Sequence, residues 1–328
     1  MIKGLDGADV SAQPIKAERP LPIIDMHLHA HALADYGGGV PVCTNEQEIT
    51  YPGIDPRKPI TFDEVAKCDA PMAPAASDDA LMRESVAILE RYNIWAVTSG
   101  TLDRVSSWTS FGKGRVTPAI SFASEPRRSV DEFRRLFKEN AFAVFAEIGA
   151  QYHGVRLDDE SYDPYFALAE ELDIPVGVHL GEGPPGAAYL AYPNYRAALT
   201  TPFQLEKVLV RHPRLRLYAM HYASPLVDEM IAMLYSHPQL YVDVAQNDWG
   251  FPRAHFYSQL KRLIDAGFEK RIMWGSDQMI WPQTIVVAMK TIQEAPFLTE
   301  NQKRDIFYNN AARFLRLSDA TIARHKGE

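Results

Sequence analysis

Residues 23–29 read IIDMHLH. Apolar residues alternate here with Asp25, His27 and His29, the pattern of a strand, because every second side chain leaves a strand on the same side. Period two predicts that all three polar groups share one face, with the two imidazoles about 6–7 Å apart, a spacing that can chelate one metal ion. Two ordinary strand histidines would look the same. What gives the stretch its weight is what recurs after it. Seven further β-branched or aromatic runs begin at Ile94 (IWAVTS), Val116 (VTPAISF), Ala143 (AVFAEIG), Pro175 (PVGVHL), Leu215 (LRLYAMH), Leu240 (LYVDVA) and Ile272 (IMWGSD). Amphipathic stretches with helical period lie between them, at 78–92, 130–139, 165–172, 203–211, 226–235 and 256–266. Eight βα units predict an α/β fold, a (β/α)8 TIM barrel, with residues 1–328 forming a single domain.

The distance from Ile23 to Ile94 is far longer than any other strand-to-strand spacing, so an insertion follows strand one. Residues 31–77 carry it, and their Gly- and Pro-rich segments GGGVP, PGIDPRKP and APMAP predict little regular structure beyond a turn near 62–66. As a βα loop it should overhang the C-terminal mouth of the barrel as a lid. Residues 1–20 read as an N-terminal extension.

The chain has 328 residues, 46% of them hydrophobic and 23% charged, enough to bury a large core. Its 34 Lys and Arg against 42 Asp and Glu give a net charge of -8 with no long basic run, which disfavours nucleic acid and membrane surfaces and favours a small-molecule substrate. No apolar run is long enough to span a membrane, and residues 1–20 lack the apolar segment of a secretion signal, so the expectation is a cytoplasmic protein. Cys43 and Cys68, the two cysteines, both fall in the insertion. They are either free thiols or a lid disulfide, the latter fitting an exported form matured from a longer precursor. Composition leaves a homo-oligomer open.

The chemistry follows from position. Glu147, His179, His221 and Asp277 lie at or next to the C-terminal ends of strands four, five, six and eight, and in a barrel these ends converge with His27 and His29 on one rim. Imidazoles and carboxylates are ligands for Zn²⁺, Mn²⁺, Fe²⁺ and Ni²⁺, and packing alone does not call for so many polar groups at strand ends. Tyr152, His153 and Arg156 after strand four, and Gln246, Asn247, Asp248 and Trp249 after strand seven, are candidates for contacting substrate. His31 extends the alternation but enters the loop, where it is either a substrate-facing residue or, the simpler reading, a solvated one. His212 and His237 are explained by their places at helix ends, and Trp274 and Trp281, which flank Asp277, read as core packing.

The chain resembles the amidohydrolase superfamily, and more closely its amidohydrolase-related branch, through DMHLH at 25–29, PVGVHLGEGPP at 175–185, YAMHYAS at 218–224, RIMWGSDQMIWP at 271–282 and NNAARFLRL at 309–317. FAEIG at 145–149 is similar to the Glu-bearing fourth strand of members that hold two metals. The resemblance implies that His27, His29 and Asp277 hold a first divalent metal and that His179 is a further ligand. It makes His221 a second-metal ligand or an electrophilic partner of the substrate, steadying a developing oxyanion. Asp277 would also shuttle the proton from metal-activated water to the leaving group. Many members have a carboxylated lysine on strand four, and the decarboxylases of the branch often have no ligand there, so Glu147 discriminates. If Glu147 is not a ligand, it is a buried carboxylate paired with an arginine. Asp25 is either a carboxylate orienting a ligand imidazole or a structural cap beneath the site. The implied activity is metal-dependent hydrolysis of an ester, lactone or amide, probed first with Zn²⁺. The alternatives are non-oxidative decarboxylation of an aromatic or enolic acid around one ion, and a catalytically silent metal-holding barrel.

Overall fold

The computed structural model describes residues 20–36, 38–121 and 128–328. Of the N-terminal extension, Pro20 alone is among them. Eight strands, β1 (Ile23–Ala30), β2 (Ile94–Gly100), β3 (Val116–Ile120), β4 (Val144–Ile148), β5 (Val176–His179), β6 (Leu217–Met220), β7 (Tyr241–Asp243) and β8 (Ile272–Met273), pair in sequence order. Every neighbouring pair is parallel. The chain is thus the nearly closed TIM barrel that the alternation of runs predicts. The seam between β8 and β1 is carried by three backbone hydrogen bonds, Met26 N–H to the Trp274 carbonyl (3.0 Å), Asp277 N–H to His27 (2.6 Å) and His29 N–H to Gln278 (3.1 Å).

Two apolar layers hold the barrel. Ile24, Met26, Val97, Ala119, Val144 and Met220 pack inside it, over Tyr308 and Phe314 of the C-terminal helices. A larger cluster joins the outer strand faces to helix residues such as Leu89, Phe166, Leu209 and Leu260, all almost fully buried. At roughly 1.5–3 kcal/mol for each such side chain, this layer is the main force holding helices to strands. Helices form at Asp78–Arg91, Val130–Lys138, Asp163–Leu172, Gln204–Arg211, Val227–Ser236 and Arg253–Asp265, close to the periodic stretches. Ser77 and Ser129 start two of them by accepting the free N–H of Ala80 and Glu132. Thr284–Gln293, which the sequence reading did not mark, is buried on most sides through Ile285, Val287, Ala288, Met289 and Ile292.

The insertion contains short turns at Leu33–Tyr36 and Phe62–Val65 and two isolated antiparallel bridges, Val42 to Met72 and Thr50 to Lys67. Cys43 and Cys68 are joined between those bridges as a disulfide. The insertion is also bonded to the barrel mouth: the Trp281 indole donates to the Val40 carbonyl (2.9 Å), the Asn45 amide side chain to Asp248 (2.8 Å), and Ala75 N–H to Ile280 (3.0 Å). No described helix is long and apolar enough to cross a membrane.

Candidate metal centre

Strand β1 does not keep one period. Its register against β2 shifts between Asp25 and Leu28. Ile24 and Met26 consequently face the barrel interior below the shift, whereas Leu28 and Ala30 face the helices above it. His27 and His29 converge, their Nε2 atoms 3.1 Å apart, but Asp25 does not join them. Its carboxyl accepts the backbone N–H of His27 (2.9 Å) and both the N–H (3.0 Å) and hydroxyl (2.6 Å) of Ser276. That is the structural cap, and it corrects the expectation of a single shared face. Burial pushes Asp25 up to about 7 against those hydrogen bonds.

The seam explains why Asp277, far away in sequence, meets His27. Its N–H is bonded to the His27 carbonyl, and its left-handed backbone (φ 45°) turns the carboxylate inward, where Oδ1 lies 2.9 Å from His29 Nε2 and 3.4 Å from His27 Nε2. His221, Tyr222 and Ala223 form a run of three consecutive left-handed residues after β6. For non-glycine residues this conformation costs energy and collects at functional sites. Glycine makes room twice: a Cβ on Gly275 would fall 2.7 Å from that of His27, and one on Gly181 would fall 2.7 Å from that of His221.

Glu147, at the end of β4, stands between two sets of imidazoles. Its Oε2 is 3.6 Å from His29 Nε2 and 3.9 Å from His27 Nε2, while its Oε1 is 2.6 Å from His179 Nδ1. His179 Nδ1 in turn lies 3.1 Å from His221 Nε2. All six candidate ligands are therefore in one buried cluster, and three triads within it, His27/His29/Asp277, Glu147/His179/His221 and His27/His221/Asp243, have ligand atoms within 4.8 Å of one another. Among the described residues no Lys or Arg pairs with Glu147, Asp243 or Asp277, so the arginine partner considered for Glu147 is replaced by His179.

Asp243 escaped the sequence reading, although it ends β7 much as Glu147 stands one residue before the end of β4. Applying the strand-end rule to LYVDVA would have found it. Its Oδ2 lies 3.1 Å from His27 Nδ1, and its Oδ1 accepts the N–H of His221 (2.8 Å) and of Ala245 (3.2 Å). The carboxylate keeps a proton on His27 Nδ1 and aims the Nε2 lone pair into the cluster. The Ala245 carbonyl does the same for His221, 2.9 Å from its Nδ1. Burial and the neighbouring His179 depress the His221 pKa, which opposes a second proton. With its proton on Nδ1, His221 presents its Nε2 to the cluster, 3.1 Å from His179 Nδ1.

These lone pairs and carboxylates crowd together and need positive charge. Although burial opposes it, the pull of Asp277, Asp243 and Glu147 lifts His27 to about 10. The donor set of imidazole nitrogens and carboxylate oxygens fits a divalent cation, which would supply that charge without a proton.

Residues 24–317 match the amidohydrolase family. The chain belongs to the amidohydrolase family. A search of curated proteins found no match. Similar solved structures are an uncharacterized TIM-barrel protein of Bordetella bronchiseptica (17% identity, 94% of this chain and 100% of that one, TM-score 0.61) and a probable 2-pyrone-4,6-dicarboxylic acid hydrolase of Acinetobacter baumannii (14%, 90% and 100%, 0.57). Another is 5-carboxyvanillate decarboxylase of Novosphingobium aromaticivorans, complexed with manganese (16%, 71% and 79%, 0.52). They share the barrel with this amidohydrolase.

Around the amidohydrolase cluster, Tyr152 lies with its ring 4.5 Å from that of His179. His31 is not solvated: it is partly buried and stacks on His29 at 4.5 Å. The remaining candidates sit differently from expectation. His153 is exposed, and among the described residues no hydrogen bond or ring contact joins it to the cluster. Trp249 is buried, donating its indole N–H to the Ser276 carbonyl (2.6 Å) and packing near Trp281, so it supports the β8 loop from behind. Asn247 is buried as well and donates to the Ala245 carbonyl (3.2 Å). His212 is held by the carboxylate of Asp163 (3.0 Å) as well as by its helix end.

Proposed function

We propose that this amidohydrolase is a divalent-metal-dependent hydrolase that cleaves an ester, lactone or amide bond in a small organic molecule. One observation carries the reading, the position of the Glu147 carboxylate between the His27/His29 and His179/His221 pairs. A carboxylate with an oxygen toward each pair suits either one cation or two. His27, His29 and Asp277 would hold the first, Glu147, His179 and His221 a second, with Zn²⁺ the first metal to try. A bound cation supplies Lewis acidity, polarising the substrate's oxygen and acidifying water. The protein's own groups do the rest. Asp277, kept ionised by His27 and His29 despite its burial, takes a proton from water and delivers it to the leaving group. Asp243 and Ala245 hold the imidazoles in the tautomers that leave their Nε2 atoms free.

Non-oxidative decarboxylation is the second reading, because His27, His29, His179 and Asp277 can serve one cation without Glu147. The similar barrels include both a decarboxylase and a probable hydrolase. The test is a panel of lactones, esters and amides beside hydroxybenzoate-type acids, offered to protein reconstituted with zinc or manganese. Acid release from the first group is expected. Carbon dioxide from the second with no hydrolysis of the first would overturn the hydrolase in favour of the decarboxylase, and no turnover with bound metal would favour the silent barrel.

A further inference from the structure

Three tyrosines reach the rim from three loops: Tyr36 from the insertion after β1, Tyr152 after β4 and Tyr192 after β5. In an eight-stranded barrel the loop after β1 stands across the mouth from those after β4 and β5. The Tyr152 ring is 4.5 Å from that of Tyr192 and 4.5 Å from His179. On the other side, Tyr36 meets His31 edge-on at 5.4 Å, and His31 lies flat on His29. The charge of Glu147 is felt at all three phenols, and Tyr36 interacts electrostatically with both others.

All three side chains are half-buried, yet among the described residues none of their hydroxyls meets a hydrogen-bond partner. Other phenols of this chain are bonded: Tyr218 donates to the Met26 carbonyl (3.0 Å), Tyr257 to that of Thr291 (2.7 Å) and Tyr195 accepts from Gly183 N–H (2.9 Å), while the Tyr222 hydroxyl is buried without a partner among the described residues. The three rim hydroxyl oxygens are themselves not buried, so they stand beside the carboxylates of the rim as accessible donors for a guest.

We propose that Tyr36, Tyr152 and Tyr192 form a phenolic wall that orients a flat, oxygen-substituted ring over the metal-binding side chains. The inference rests on the metal-dependent reading above and gives its substrate a class. Aromatic faces from opposite loops offer stacking to a planar ring, and the free hydroxyls donate to its carbonyl, carboxylate or phenolic oxygens. A saturated, puckered ring would lose the stacking.

The test is calorimetric titration of manganese-loaded protein with 4-hydroxybenzoate and with cyclohexanecarboxylate, which carries the same carboxylate on a puckered ring. The flat acid should bind about tenfold more tightly, from stacking and one further hydrogen bond. Tyr36→Phe, Tyr152→Phe and Tyr192→Phe keep the rings, and each should weaken the flat acid about fivefold, the worth of one hydrogen bond, with manganese content and melting temperature unchanged. Equal affinity for the two acids, or three variants that bind like the parent, would overturn the wall. Binding is read without turnover, so the two proposals fail separately: ring binding without hydrolysis sinks the reaction and spares the wall, and hydrolysis without ring preference does the reverse.

Discussion

Asp243 touches no reacting group in the proposed chemistry, yet its two oxygens set His27 and the backbone of His221 together. Asp243→Asn keeps the shape but weakens the hold on the His27 tautomer, and metal affinity should fall about 10- to 100-fold in competition with a chelator. An unchanged affinity would show that the carboxylate is only structural. Gly275→Ala acts on the same imidazole by volume, because the new methyl would sit 2.7 Å from the His27 Cβ and 3.1 Å from that of Ala245. Metal content should drop in this variant, and a fully loaded protein would mean that the seam yields more easily than its packing suggests. Residues such as His27, His29 and Asp277 were legible in the sequence because strand ends in a barrel converge. Tyr36 and Tyr192 were not, since a tyrosine in an irregular loop has no period to mark which way it faces.

At the scale of the element, the insertion is the part whose composition says least and whose contacts say most. Gly and Pro predicted irregular chain, and the chain is irregular, but the bridges at Val42 and Thr50 and the bonds to Asp248, Ile280 and Trp281 tie it to the segments after β7 and β8. The Cys43–Cys68 link closes a loop of sequence separation 25, which the chain-entropy account values at about 3.5 kcal/mol. Cys43→Ser/Cys68→Ser should therefore lower the melting temperature of the oxidised protein. Thiol titration of unreduced protein should find no free cysteine, and two free thiols would remove the bridge from the account. The helices show the opposite balance. Six were read within a few residues from their apolar period, whereas Leu102–Phe111, whose buried stripe is only Val105 and Trp108, and Thr284–Gln293, buried on most sides, were missed.

For the whole molecule, stability and site are coupled through charge. In the metal-free protein His27 is protonated up to about 10, above its ordinary 6.5, because three carboxylates surround it. A raised folded-state pKa stabilises fully below 6.5, and that contribution fades as pH climbs toward 10. A bound cation neutralises the same carboxylates without a titrating proton, so the melting-temperature gap between loaded and stripped protein should widen from pH 6.5 to 10. A gap that stays constant or narrows would argue against His27 as the charged partner. The sequence by itself determined the barrel, its strand order and the acids and imidazoles at its rim, because period, spacing and hydrophobicity are local quantities written along the chain. Only the tertiary structure decided that β1 shifts its phase, that Asp243 rather than Asp25 orients His27, and that three phenols from separate loops share the mouth. Those are relations between distant segments, fixed by how the seam closes and the loops pack rather than by any local pattern.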